Sequence, residues 1–168
     1  GLNMENNAPR IMIAGTGSGC GKTTVTLAVL RAMQRRNIPL AAFKCGPDYI
    51  DPMFHKAVLG IPSRNLDLFF ISEREVRGQI VRSIPQNGLG VIEGVMGFYD
   101  GVSGTTDTAS AAHLARETGT PAILVVRPKG QSLSLAAMLS GFRNFAENTL
   151  CGVILNGIPE SSRMYLEC

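Results

Sequence analysis

The sequence predicts an α/β domain: a doubly wound parallel sheet with helices on both faces. Three observations carry that expectation. Short apolar, β-branched runs alternate with stretches of helical periodicity along the chain. The runs are apolar throughout rather than alternating with polar residues, as strands covered on both faces must be. A glycine-rich turn stands between the first such run and the first helical stretch. The 168 residues are 45% hydrophobic and 17% charged, which suits one domain with a full core and excludes intrinsic disorder.

The elements follow in order. Residues 1–9 read as a disordered lead-in, with Gly1-Leu2-Asn3 ahead of Met4 an expression remnant, and residues 10–168 as the domain. Arg10 to Ala14 is the first strand, and Lys22 to Arg36 the first helix. Leu40 to Cys45 is the second strand. Asp51-Pro52 supplies an N-cap and a first-turn proline for a short helix ending near Gly60. Ser72-Glu73-Arg74-Glu75 is a capping box that opens a helix stopping before Pro85. Gly90 to Glu93 forms the third strand. Asp107 is expected to cap a helix running to Gly119, and Pro121 to Val126 is the fourth strand. Ser132 to Glu147 reads as helix, with Leu133, Met138, Leu139, Phe142 and Phe145 as its core-packing stripe, and Cys151 to Asn156 as the fifth strand. Pro159 to Cys168 starts a further helix that leads nowhere, so the domain is expected to be truncated at its C-terminus.

Charge and cysteine usage narrow the partners. Sixteen basic against thirteen acidic residues leave a net charge of +3, with Arg35-Arg36 the sole adjacent basic pair. A nucleic-acid binder needs a denser basic stripe, so none is expected. No apolar run reaches the ~18 residues of a membrane span, and no basic-then-apolar leader opens the chain, so a cytoplasmic protein without a membrane partner is expected. Cys20, Cys45, Cys151 and Cys168 show no C-x-x-C spacing, which argues against a disulfide framework or a zinc site.

The strongest chemical signal is Gly15-Thr16-Gly17-Ser18-Gly19-Cys20-Gly21-Lys22-Thr23-Thr24, directly after a buried strand and opening a helix. Glycines let successive backbone N–H groups turn inward as an anion nest, and the helix N-terminus adds partial positive charge behind a phosphate. The backbone from Gly17 through Ser18, Gly19, Cys20 and Gly21 would cradle phosphates. Lys22 would reach the β- and γ-phosphates, the Thr23 hydroxyl a Mg²⁺ ion, and Thr24 the α-phosphate. The pattern departs from G-x-x-x-x-G-K-[ST] at one place, where Thr16 replaces the first glycine and the glycine lies at Gly15. ATP with Mg²⁺ is the expected ligand. Cys20 is either a small filler or a thiol activated by the helix terminus.

Three further segments follow in order: Phe43-Lys44-Cys45-Gly46-Pro47-Asp48-Tyr49-Ile50-Asp51-Pro52, Pro62-Ser63-Arg64-Asn65-Leu66-Asp67, and Glu93-Gly94-Val95-Met96-Gly97-Phe98-Tyr99-Asp100-Gly101. With the glycine-rich loop, they make the chain from Arg10 onward resemble the synthetase domain of the cobyrinic acid a,c-diamide synthase family. That family lies in the dethiobiotin synthetase-like branch of P-loop NTPase-like proteins. The resemblance implies a ligase that phosphorylates carboxylates of a corrin, a tetrapyrrole, with ATP and amidates them with glutamine-derived ammonia in cobalamin biosynthesis. It implies a glutaminase domain in the same chain, which no segment here resembles, and a homodimer is a further expectation. Where relatives carry Asp after the fourth strand, this chain has Arg127.

The resemblance implies that Thr23, Asp48 and Glu93 surround Mg²⁺, which suits an ion that takes one or two carboxylates plus phosphate oxygens and water. In an open parallel sheet such groups belong at the carboxyl ends of the strands, where Lys44, Asp48 and Glu93 fall. Lys44 would be a second cation at the phosphates. Tyr49, Asp51 and Asp100 would order the substrate, although Asp51 equally suits a helix N-cap. Arg64 and Asn65 either meet peripheral substrate carboxylates or stabilise a loop. Asn156 either contacts adenine or forms a turn with Gly157. His113, among Ala and Leu on its helix, reads as a packed histidine.

Three alternatives stay open. Another tetrapyrrole, such as nickel-sirohydrochlorin, would fit the same motifs. A dethiobiotin synthetase shares the phosphate loop and the Glu93-Gly94 pair but gives no reason for the segment from Gly46 to Pro52. A partitioning-type nucleotide switch shares Gly21-Lys22-Thr23-Thr24 yet carries a lysine where this chain has Gly17.

Overall fold

The computed structural model describes residues 8–45, 60–67 and 72–157. The described elements are, in order, β1 (Arg10–Gly15), α1 (Lys22–Arg35), β2 (Leu40–Cys45), β3 (Ser63–Leu66), α2 (Glu73–Ser83), β4 (Leu89–Glu93), α3 (Ala111–Thr118), β5 (Ala122–Val126), α4 (Leu133–Asn144) and β6 (Leu150–Leu155). The six strands form one sheet in the order β3-β2-β4-β1-β5-β6, and every pairing is parallel. The fold class read from the sequence holds.

Alternation along each strand sends successive side chains to opposite faces. Ile13, Leu40, Ala42, Val91 and Val125 pack with Leu30 of α1 on one face. Met12, Ala14, Phe43 and Ile92 pack on the other with Val76 and Ile80 of α2 and Leu114 of α3. Both faces are therefore covered, which explains why the strands read as continuous apolar runs.

Three elements differ from expectation. β3 was not among the expected strands; Ser-Arg-Asn-Leu is too short and polar to read as one, and pairing with β2 creates it. Asp107 does not cap the following helix. Ser110 does, accepting from the His113 N–H at 3.0 Å, while Asp107 holds Arg116 at 3.0 Å. A cap must sit directly before the first helical residue, and the helix starts three residues later than expected. α4 ends at Asn144, and its expected stripe is only partly core: Met138, Leu139 and Phe142 pack, whereas Leu133 is 83% and Phe145 74% exposed. The short helix expected between Asp51 and Gly60, and the helix start at Pro159, lie outside the described residues.

The Ser72 cap is as expected: its hydroxyl accepts from the Glu75 N–H at 3.2 Å. No helix among the described residues is long and apolar enough to cross a membrane.

Candidate functional site

The site lies where β1 and β4, paired side by side, deliver their carboxyl ends. Residues 16–21 link Gly15 at the end of β1 to Lys22 at the start of α1. Gly21 is the helix N-cap, in the left-handed region at φ 93°, where a glycine is needed. α1 has no side-chain cap and no acidic residue in its first turn, so its leading N–H donors are left for an external anion. Within the loop, Gly17 is half-buried, Ser18 and Gly19 are exposed and Cys20 is buried. The displaced first glycine has a packing reason. A Cβ on Gly15 would lie 2.3 Å from Cys20 Sγ and 2.9 Å from the Lys22 side chain, so the glycine is needed at 15 and Thr16 is tolerated.

Glu93 closes β4 and is 2% exposed. Its Oε1 accepts from the Thr23 hydroxyl at 2.6 Å, while its Oε2 is buried with no hydrogen-bond partner among the described residues. A buried carboxylate oxygen left unpaired is costly. A hydroxyl beside a carboxylate is the oxygen donor set a Mg²⁺ ion takes, so Thr23 and Glu93 fit that ion. Thr24 faces solvent on the same helical turn.

Lys22 donates to the Met96 carbonyl in the loop after β4. Burial pulls its ammonium below the ordinary value of 10.5; nearby Lys44 lowers it further, while Cys20, Glu93 and Asp100 oppose the shift. Met96 is itself unusual, a non-glycine residue at φ 49°. Such strained backbone clusters at functional loops. Neither Met96 nor its contact was expected from the sequence; the glycines flanking it at 94 and 97 were the available hint. Asp100 turns its Oδ2 back to the Gly97 N–H at 2.9 Å, which braces the same loop. Tyr99 donates to the Phe142 carbonyl at 2.6 Å and tethers the loop to α4.

Strand register assembles the rest. Lys44 of β2 pairs with Glu93 of β4 on one side and with Asn65 of β3 on the other, and Glu93 pairs with Ile13 of β1. Asn65, Lys44 and Glu93 thus share one row near the carboxyl end of the sheet, with Lys44 and Glu93 on the α1 face with Ala42 and Val91. Arg64 is exposed and pairs with Phe43, so it takes the opposite face from that row. Asn156 follows β6, and its amide donates to the Cys20 carbonyl at 3.1 Å, which brings it to the phosphate loop. Asp48, Tyr49 and Asp51 lie outside the described residues.

His113 is more than a packed histidine. Its Nδ1 accepts from the Ala109 N–H at 2.9 Å and its Nε2 donates to Glu73 Oε1 at 3.0 Å, joining α3 to α2. Glu73, His113 and Glu117 bring ligand-type atoms within 4.8 Å of one another. With Nδ1 spent as an acceptor, the neutral ring carries its proton on Nε2 and has no lone pair there for a metal. The His113–Glu73 pair is an interhelix bridge.

Comparison with known proteins settles the family. Residues 11–165 match the profile described as the CobQ/CobB/MinD/ParA nucleotide binding domain. The chain belongs to that family. It is a nucleotide-binding domain, as its loop and first helix require. The family description spans several branches, and three individual relatives carry the name of one. The chain is 49% identical over 152 residues to a cobyrinate a,c-diamide synthase of Clostridium acetobutylicum, covering 89% of this chain and 34% of that protein. It is 46% identical over 150 residues to the one of Thermoplasma volcanium, covering 89% and 33%. The one of Clostridium tetani is 43% identical over 151 residues, covering 90% and 34%. The chain thus spans about a third of the length of these relatives. Among solved structures, the kinase domain of the Escherichia coli tyrosine kinase ETK matches with a TM-score of 0.55 at 14% identity. It covers 95% of this chain and 70% of that one, a likeness of fold alone.

Proposed function

We propose that this domain binds ATP with Mg²⁺ and drives ATP-dependent amidation of the a- and c-side-chain carboxylates of cobyrinic acid. The observation that carries the reading is the Thr23–Glu93 contact, whose second carboxylate oxygen has no partner among the described residues, at the mouth of a phosphate loop. The names of the three relatives above supply the substrate class.

A substrate carboxylate is already ionised at pH 7, so its attack on the γ-phosphorus needs no general base. What the reaction needs is in-line placement and neutralised charge on the transferring phosphoryl. The carboxylate oxygen bonds to phosphorus as the bond to ADP breaks. Ammonia then bonds to the acyl carbon, phosphate leaves, and the surplus proton passes to solvent. In this reading Lys22 exchanges the Met96 carbonyl for β- and γ-phosphate oxygens, and the first-turn N–H groups of α1 hold the same phosphates. Lys44 supplies a second cation from the neighbouring strand. Thr23 and Glu93, with Asp48, hold Mg²⁺, which when bound offsets phosphate charge. Asp100 keeps the loop after β4 in shape, and Tyr49, Asp51, Arg64 and Asn65 would meet the corrin, as the family resemblance implies. Ammonia comes from a glutaminase domain in the part of the full-length protein that this chain does not span.

The test is ADP release from MgATP by the full-length protein with ammonia present, offering cobyrinic acid, nickel-sirohydrochlorin and diaminopelargonic acid in parallel. Amide formation on the corrin supports the proposal. Turnover of either other compound alone overturns it, as does nucleotide-driven dimerisation without turnover of any.

A further inference from the structure

We propose that Asn156 is a positioning residue for the phosphate loop: its amide holds the Cys20–Gly21 peptide so that the Gly21 N–H faces a bound triphosphate. The proposal rests on the nucleotide-binding reading of that loop and is independent of which carboxylate is phosphorylated.

Asn156 sits just past the end of β6, and its own N–H donates to the Val126 carbonyl at 2.7 Å. The sheet therefore anchors its backbone. From there its Nδ2 reaches 136 positions back along the chain to the Cys20 carbonyl, at 3.1 Å. In a trans peptide the C=O and the N–H point to opposite sides. Drawing the Cys20 carbonyl toward Asn156 thus turns the Gly21 N–H away from it. Gly21 is the N-cap of α1, and no side-chain cap or first-turn acid competes for the donors there. The amide is also packed directly on the loop, since a Cβ on Gly21 would lie 2.1 Å from Asn156 Nδ2.

A residue that shapes the loop and a residue that reads the base make different demands on the ligand. Inorganic tripolyphosphate carries the phosphates without the base. Titration calorimetry with Mg²⁺-tripolyphosphate and MgATP on the wild-type protein, Asn156→Ala and Lys22→Ala separates the two roles. The expected result is that Asn156→Ala weakens both probes by the same factor, about tenfold for one hydrogen bond to a loop that must hold its shape. A loss confined to ATP, or no loss with either probe, overturns the proposal. If wild type binds neither probe, or Lys22→Ala binds both as well as wild type, the nucleotide-binding reading of this loop fails, and this proposal with it. A second measurement needs no variant. In ¹⁵N spectra of the wild type, the Gly21 amide should move downfield on adding tripolyphosphate while the Asn156 side-chain amide keeps its hydrogen-bonded shift. A Gly21 amide that stays in place overturns the proposal.

Discussion

The Thr23 hydroxyl and Glu93 Oε1 meet at 2.6 Å, joining the first turn of α1 to the end of β4. This contact satisfies one carboxylate oxygen and leaves the other, Oε2, buried without a partner among the described residues. A domain built only for stability would not keep such a group. Glu93→Gln removes the buried charge while preserving an acceptor for Thr23. It should raise the nucleotide-free melting temperature by a few degrees, about the shift that ~1 kcal/mol produces in a domain of this size. It should also abolish most of the Mg²⁺ dependence of ATP binding. Scanning calorimetry and Mg²⁺ titrations check both halves; lower stability with intact Mg²⁺ dependence would make Glu93 a structural acid.

Lys22 carries a pH signature. Burial lowers its pKa in the folded chain, so between that value and 10.5 the unfolded chain binds the extra proton. Lys22 therefore costs stability at neutral pH, and the cost fades as pH rises toward 10.5. The stability of wild type relative to Lys22→Met should climb across that alkaline window, measured by urea unfolding at several pH values. A flat difference would contradict the burial argument.

The cap of α3 separates two neighbours. Ser110→Ala should cost about 1 kcal/mol, because the His113 N–H loses its acceptor. Asp107→Asn should cost less, within the ~0–1 kcal/mol of a partly exposed ion pair. Denaturant midpoints for the two variants decide between them, and the reverse order would restore Asp107 as the cap.

Thiol reactivity should split by burial. Cys45 is buried and its pKa is pushed up to about 12 by that burial, with Asp67 adding to it. Cys151 is exposed. At pH 8, iodoacetamide followed by mass spectrometry should label Cys151 and leave Cys45 untouched until the protein is unfolded. Labelling of Cys45 in the native protein would mean that the end of β2 opens.

Sequence periodicity located β1, α1, β2, β4 and β5 because strands covered on both faces must be apolar along their whole length. The capping box from Ser72 to Glu75 marked the start of α2, since its chemistry is local. β3 escaped because nothing in Ser-Arg-Asn-Leu is apolar enough to announce a strand; only the open edge of β2 makes it one. Asp107 and Ser110 share capping chemistry, and the backbone turn at Ala109, φ 62°, decides that Ser110 stands before the helix.

For the site, the chain alone pointed to the phosphate loop with Lys22 and Thr23, because a strand, a glycine-rich turn and a helix are neighbours in sequence as well as in space; Glu93 entered through the family resemblance and its place at a strand's carboxyl end. Tertiary structure decided the rest. Strand pairing puts Lys44 between Asn65 and Glu93, chain folding brings Met96 to Lys22, and β6 carries Asn156 to Cys20. Periodicity states which face a side chain takes. It does not state which strand lies alongside, and that choice belongs to the whole sheet.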